Sequence, residues 1–428
     1  MNEAQQQLAW LWQGLQHSPY QALCEPWLTP EHSARLLASV VSPEEATCVL
    51  AHWLAGLAAW PETMVDWLTQ QEMYDPELVV AVQHALAREP ETPWDWVKRS
   101  FRYGAVWREQ GNLPFGGYYS LRRLHFLTQG MSSQLLTLVY QAVYPRTLNQ
   151  PLCQPLSSEA QQRMLQLQTD SFSVWPQALS AAHVQGIRQF ASRTSAYPSL
   201  PDQDHRDLKT GAYTLPRLPF DPENPVARRY DFHFAEIWHC EQVQAIAADL
   251  RWFALAEAAL GCRALLVQAY LWWSSDFAGP ASRYTGQVFH IDLDRFHFVN
   301  AFFYLTDVGE KNGPQSYFKG THGPLPLALS VDQRWTVEAL TDYYGAERRV
   351  LLPAPAGSLI LANTQAFHRG EPLQEGQRLM LQFEFAPATL GENPSTVPRP
   401  PHLHPALRAQ LEASPWRYPM LRNWLAED

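Results

Sequence analysis

Hydrophobic positions recur with a helical period through the first third of the chain and with a strand period through the last third. Val49, Leu50, Trp53, Leu54 and Leu57 keep the spacing of one helix face. Ser42-Pro43-Glu44-Glu45, just before them, is a helix start, with Ser as N-cap and Pro at the first helical position. Asp75-Pro76-Glu77 starts a second helix whose stripe is Leu78, Val79, Val82 and Leu86. Ser132-Ser133 precedes LLTLVYQAVY in the same way, and Ser157-Ser158-Glu159 opens a further short helix. Residues 1–165 are therefore expected to form an all-α N-terminal domain. The prolines of Pro145 to Pro155 (PRTLNQPLCQP) deny both helix and central strand and predict a linker. No fixed-period repeat occurs.

Beyond residue 166 the texture changes. One more helix is expected from Ser180 to Ala191, then a long Pro- and Asp-rich loop from Ser195 to Pro225, then a helical stretch from Glu241 to Leu260. After that, short β-rich runs alternate with turns: RALLVQAYLWW, GQVFHIDL, FVNAFFYLT, GSLILAN and RLMLQFEF. Several short strands without long intervening helices predict an antiparallel sandwich or barrel. The second domain is expected to run from 166 to 428 and to end in a Pro-rich tail. In Trp272-Trp273, at the end of a strand, alternation sends one ring in and the other out.

Composition narrows the function. The chain has 428 residues, 46% of them hydrophobic and 17% charged, which is far from the disordered regime. Its 17 Trp and 34 Pro point to aromatic-rich packing and stiff loops. No apolar run approaches the ~18 residues of a membrane span. The start, MNEAQQQLAWLWQGL, lacks the basic segment and cleavage site of a secretory signal and reads as a first helix. Cys24, Cys48, Cys153, Cys240 and Cys262 are scattered and include no CxxC pair, so neither a disulfide framework nor a thiolate zinc site is suggested. Reduced thiols in a cytoplasm are expected. A formal charge of −10 opposes general affinity for nucleic acid.

The chemistry concentrates in two segments. In GQVFHIDL, read as a strand, His290 and Asp292 share one face with Val288 and Asp294, while Phe289, Ile291 and Leu293 cover the other. An imidazole beside a carboxylate makes two parts of a facial triad. His368, just after the buried-strand pattern GSLILAN, supplies the third. Two His and one carboxylate hold one face of an octahedral Fe(II) and leave the opposite positions open for a co-substrate and O₂. In RLMLQFEF the apolar face is Leu379, Leu381, Phe383 and Phe385, and the other is Arg378, Met380, Gln382 and Glu384. An arginine opening a strand of such low charge requires an anionic partner, and its fork suits a carboxylate. Arg378 lies ten residues after His368 and is expected to reach back to the metal from the neighbouring strand.

These segments bring a family into view. Residues from about 170 to 390 resemble the phytanoyl-CoA dioxygenase family of Fe(II)- and 2-oxoglutarate-dependent oxygenases. The matching runs are FHID (289–292), FFYLTDVGEKNGPQSYFKGTH (302–322) and FHRGEPLQEGQRLMLQFEF (367–385). HxD, an Asn-Gly turn with a Gly-Thr-His element, a distal His and a following Arg occur in the family's order. The resemblance implies an α+β protein built on a double-stranded β-helix, a jelly-roll or cupin-like barrel with buttressing helices. It implies His290, Asp292 and His368 as iron ligands and Arg378 as the clamp on the far carboxylate of 2-oxoglutarate. It places Phe302 at a wall of the co-substrate pocket. Related halogenases carry Gly or Ala in place of the carboxylate; Asp292 therefore favours hydroxylation or another oxidation over halogenation. The substrate expected is a small or carrier-tethered metabolite, and residues 1–165 lie outside the resemblance as a candidate interaction module.

Other readings stand beside this one. A cupin-type isomerase or hydrolase would use the same metal without 2-oxoglutarate, and a non-catalytic binding shell would need neither. His322 reads as a loop residue, Asp294 and His297 as solvated loop positions, and His402 and His404 as exposed. His233, Glu236 and His239 walk off one helix face at a spacing of three and three and read as structural. Arg228 and Arg229, in the long loop, are candidates for a substrate-anion contact.

Overall fold

The computed structural model describes Arg122, His125, Phe126 and residues 128–144, 157–199, 215–278, 285–391 and 397–425. All belong to one compact unit, Ser100–Asp428. The helix starts at Ser42 and Asp75 and the linker at 145–155 lie outside the described residues. Helices α1 (Met131–Val143), α2 (Ser158–Asp170), α3 (Ala181–Arg193), α4 (Glu241–Ala248), α5 (Leu250–Leu260), α6 (Val337–Tyr344) and α7 (Pro405–Ala413) surround ten strands. The strands are β1 (Phe172–Trp175), β2 (Tyr197–Ser199), β3 (Arg229–Asp231), β4 (Leu265–Ser275), β5 (Val299–Tyr304), β6 (Gln315–Phe318), β7 (Arg349–Leu352), β8 (Leu359–Ala362), β9 (His368–Gly370) and β10 (Gln377–Ala386).

Seven strands make a large antiparallel sheet in the order β1-β8-β5-β10-β4-β3-β2, and three make a small one, β7-β6-β9. The period-two pattern of β10 explains their placement. Leu379, Leu381, Phe383 and Phe385 face outward into a core shared with Val243, Phe253 and Leu260 of α4 and α5. Phe253 meets Phe385 edge-on at 5.1 Å. On the inner face Met380 joins Trp272, Phe302, Tyr304 and Ile360 of the large sheet with Tyr317 and Leu352 of the small one. The two sheets thus face each other across an aromatic-rich layer. Each buried Leu or Phe contributes about 1.5–3 kcal/mol relative to exposure, so both layers stabilise β10 from opposite sides. Trp272 points inward and Trp273 outward, as alternation requires.

Several expectations are corrected. The caps at Ser157 and Ser180 form, each side chain accepting from a backbone N–H three residues on. α1 instead starts after Gly130, at φ 85°, without a side-chain cap. The stretch from Glu241 to Leu260 is two helices, because Asp249 turns its carboxylate to the N–H of Arg251 and caps α5. The Pro-rich C-terminal segment is folded rather than a tail. Leu407, Leu411, Tyr418 and Trp424 sit in the main core, and His404 caps α7. Tyr140 of α1 lies in that same core and Phe126 packs with Phe289. The unit that carries the sheets therefore begins upstream of residue 166.

Candidate active site

GQVFHIDL is not a regular strand. It alternates in burial as one, with Phe289, Ile291 and Leu293 buried and His290 and Asp292 partly open. Its ladder, however, reduces to isolated bridges, Phe289 to Trp335 and His290 to His368. The second bridge carries the site. His290 N donates to His368 O at 3.0 Å and His368 N donates to His290 O at 2.9 Å. Asp292 N donates to Thr364 O at 2.8 Å. Two segments 78 residues apart in sequence are thereby locked at the three positions that face the interior.

The side chains follow from this frame. His290 Nδ1 lies 2.8 Å from the carbonyl of Val288, and His368 Nδ1 lies 3.0 Å from that of Ala366. Each Nδ1–H donates to a carbonyl two residues back, which fixes the tautomer and leaves the Nε2 lone pair facing inward. His290 Nε2 is 3.3 Å from Asp292 Oδ1 and His368 Nε2 is 3.3 Å from Oδ2. One donor atom from each residue falls within 4.8 Å of the others, and among the described residues no other His, Cys, Asp or Glu group does so. Burial pushes the His290 imidazole down to about 4, and Arg334 and His368 add to the shift. Burial alone would raise the Asp292 carboxyl, but the His368 and His290 imidazoles beside it hold it well below the usual carboxylate range. A neutral imidazole and an ionised carboxylate are the protonation states a divalent cation requires. The donor set, two nitrogens and a carboxylate within 4.8 Å of one another, fits a facially bound Fe(II).

Arg378 does not reach the triad from a neighbouring strand, as the spacing suggests. β10 lies between β4 and β5, and β9 lies in the opposite sheet. Arg378 reaches across the gap between sheets. A Cβ on Gly370, two residues after His368, would stand 3.3 Å from Arg378 Nη2. The guanidinium is 5% exposed, and Nη2 donates to Ser274 Oγ at 3.1 Å. Its Nε and Nη1 have no hydrogen-bond partner among the described residues. Burial lowers it to about 10, so it stays charged at neutral pH. A buried cation with unpartnered Nε and Nη1 has donors suited to an anion. Phe302 lies in the layer between the sheets, 4% exposed, where a pocket wall belongs.

The remaining candidates sort themselves. His322 Nδ1 bonds Ser171 Oγ at 2.6 Å and serves its loop. His297 is not solvated. It bonds Leu260 O at 2.7 Å and Thr137 Oγ1 at 3.1 Å, tying α1 to α5. Glu236 pairs with Arg217, and His233 Nδ1 accepts from Ala235 N, so that cluster is structural. Arg229 sits on β3 across from Ser274 and stacks over Trp272 at 4.4 Å, while Asp231 neutralises it at 2.7 Å. Sequence reasoning missed Ser274, Gln315 and Tyr317. The signal for the last two was Gln and Tyr two apart in NGPQSYFKGTH, polar positions on one face of a short strand. An open groove of about 1040 Å³ lies on the outer side of the large sheet, between α3 and Trp273, and none of the four site residues lines it.

Residues 168–378 match the model of the phytanoyl-CoA dioxygenase family. This stretch of the chain is a phytanoyl-CoA dioxygenase family domain. The match spans His290, Asp292 and His368 and ends on Arg378. Its class is that of a 2-oxoglutarate-dependent, non-haem iron oxygenase, with Fe(II), 2-oxoglutarate and O₂ as cofactor and co-substrates. Among solved structures, the domain is similar to the α-ketoglutarate-dependent epimerase SnoN from nogalamycin biosynthesis, with 17% identity, a TM-score of 0.39, and coverage of 53% of this chain and 83% of that one. It is similar to HygX from Streptomyces hygroscopicus with nickel, 2-oxoglutarate and hygromycin B bound, at 19% identity and a TM-score of 0.36, over 55% and 90% of the two chains. It is also similar to EctD from S. alaskensis with bound Fe, at 18% identity and a TM-score of 0.38, over 57% and 80%. These likenesses are distant. No curated protein matches the chain. No helix among the described residues is long and apolar enough to cross a membrane.

Proposed function

We propose that His290, Asp292 and His368 hold Fe(II), that Arg378 clamps the far carboxylate of 2-oxoglutarate, and that the enzyme hydroxylates a small or carrier-tethered metabolite. The observation that carries this reading is the pairing of two incomplete sites across one gap. The triad offers three donors on one side, and Arg378 offers two unpartnered N–H groups behind Gly370. A dicarboxylate with a chelating keto acid end satisfies both. Bound iron with 2-oxoglutarate and O₂ supplies the oxidising power, releasing succinate and CO₂. The chain's own part is positional. The two Nδ1–H···O=C bonds orient the imidazoles, Ser274 orients Arg378, and the aromatic layer of Trp272, Phe302 and Tyr304 excludes water.

The two facing sheets are read as the double-stranded β-helix of the family. The leading helical region, expected over 1–165, is read as a module for partner docking or substrate delivery. The free thiols of Cys240 and Cys262 suit a cytoplasmic setting.

The test is an anaerobic titration of the metal-free protein with Fe(II) and then 2-oxoglutarate, followed in the visible spectrum. Wild type is expected to develop a weak charge-transfer band that needs both additions, and His368→Ala is expected to lose the band and most bound iron. Succinate release on adding candidate metabolites then identifies the substrate. Iron binding without any 2-oxoglutarate-dependent band would sink the reading in favour of a cupin-type metal enzyme.

A further inference from the structure

Two rungs of the small sheet join β6 to β9. Tyr317 stands directly opposite His368, and Gln315 stands opposite Gly370. His368 belongs to the metal triad, and Gly370 lies against the Arg378 guanidinium. The first rung therefore lies at the metal triad and the second beside Arg378. The Tyr317 ring lies parallel to the His368 imidazole, with centroids 5.4 Å apart and planes 19° apart. A phenol is longer than an imidazole, so its hydroxyl projects past the ring it covers.

That hydroxyl is an anomaly. Tyr317 is fully buried, at 0% exposure, and its OH has no hydrogen-bond partner among the described residues. Leaving a buried hydroxyl unmade costs about 1–3 kcal/mol, and a phenylalanine would stack on His368 without that penalty. The neighbouring Tyr304 shows the ordinary solution. Its OH accepts from Gln315 N at 2.9 Å and donates to Leu352 O at 3.1 Å. The ordinary pKa of a phenol is about 10, well above neutral pH. It stays protonated and is a donor.

We infer that Tyr317 is a positioning residue whose hydroxyl donates to the metal-side carboxylate of the dicarboxylate co-substrate, at the opposite end from Arg378. The inference rests on the reading of the cavity as a 2-oxoglutarate site. It assigns each end of the co-substrate its own donor: the two spare N–H groups of Arg378 at the far end and one phenol at the near end. It also explains why a buried tyrosine whose hydroxyl has no partner among the described residues stands on the metal rung.

Tyr317→Phe removes the hydroxyl and keeps the stacked ring. The full-length protein is titrated anaerobically with Fe(II), then with 2-oxoglutarate, beside wild type. Three results are expected together. Fe(II) affinity is unchanged, and the melting temperature without co-substrate is equal or higher, because an unsatisfied group has gone. The Kd for 2-oxoglutarate rises about tenfold, as loss of one hydrogen bond to a charged acceptor gives, and the charge-transfer maximum moves. A merely structural hydroxyl would lower the melting temperature and leave band and Kd in place. Unchanged Kd within twofold, or a loss already present in Fe(II) binding, overturns the inference while the wild-type band still supports the site. Absence of 2-oxoglutarate binding by wild type overturns both.

Discussion

Arg295 and Arg378 are both buried to within 5% of full enclosure, the first reaching β10 at Glu384 and the second springing from β10, yet the fold treats them in opposite ways. Arg295 Nε donates to Glu384 Oε1 at 2.7 Å and its Nη1 to Thr389 O at 2.9 Å. Arg378 has the hydroxyl of Ser274 and, among the described residues, no carboxylate. Arg378 and Glu384 stand six residues apart on one strand and share its inner face. A buried charge left without a counter-charge is costly, so it persists only where something repeatedly supplies the missing anion. Pairing thus separates the structural end of β10 from the end proposed to bind the co-substrate more sharply than burial or residue type does.

The largest expected effect comes from breaking the structural pair. Glu384→Ala strands Arg295 in the core, and removing one member of a buried pair costs about 3–5 kcal/mol. The urea midpoint is expected to fall accordingly, while the fraction still folded binds 2-oxoglutarate with unchanged affinity. A variant of wild-type stability would mean that the pair is not structural, and the contrast between the two arginines would disappear.

Arg378→Met is the mirror experiment. It removes a cation that no carboxylate among the described residues matches, so stability without co-substrate is expected to stay level or rise. The Kd for 2-oxoglutarate is expected to increase about 100-fold, equivalent to ~2.7 kcal/mol. Urea unfolding and the spectral titration read the two quantities separately. Destabilisation without loss of affinity would reverse the assignment of the two ends.

Much of this arrangement is legible in the sequence. His290, Asp292 and His368 stood out because alternation put the first two on one face, and the third followed a wholly apolar strand. Arg378 stood out as a charge in a strand of hydrophobic residues. Local patterns carry period and polarity, which is why β4, β5, β8 and β10 were found. They do not carry which strands oppose each other across two sheets. The approach of Arg378 through Gly370, the Ser274 hydroxyl beside it and the rung that joins Tyr317 to His368 are all non-local, and none leaves a mark in its own segment. The helical stretch expected from Glu241 to Leu260 divides at Asp249 for a related reason. Its polar side chain splits one helix in two, although the hydrophobic stripe runs through it unbroken.

Gly370 offers the finest test of the contrast, because it lies against Arg378 without contributing any charge. A Cβ there would meet Arg378 Nη2 at 3.3 Å and Nη1 at 3.7 Å, tight enough to displace the guanidinium by a few tenths of an ångström. The neighbour that must yield is the end of a long side chain, so the backbone of β9 has no reason to move. Gly370→Ala is therefore expected to keep the wild-type melting temperature and iron affinity. Its Kd for 2-oxoglutarate is expected to rise about threefold, since a bidentate clamp loses alignment before it loses charge. In the Arg378→Met background the same substitution should do nothing further, because the group it displaces is gone. Additive losses in the double variant would show that Gly370 acts on the cavity by another route, through the Gln315 rung rather than through Arg378.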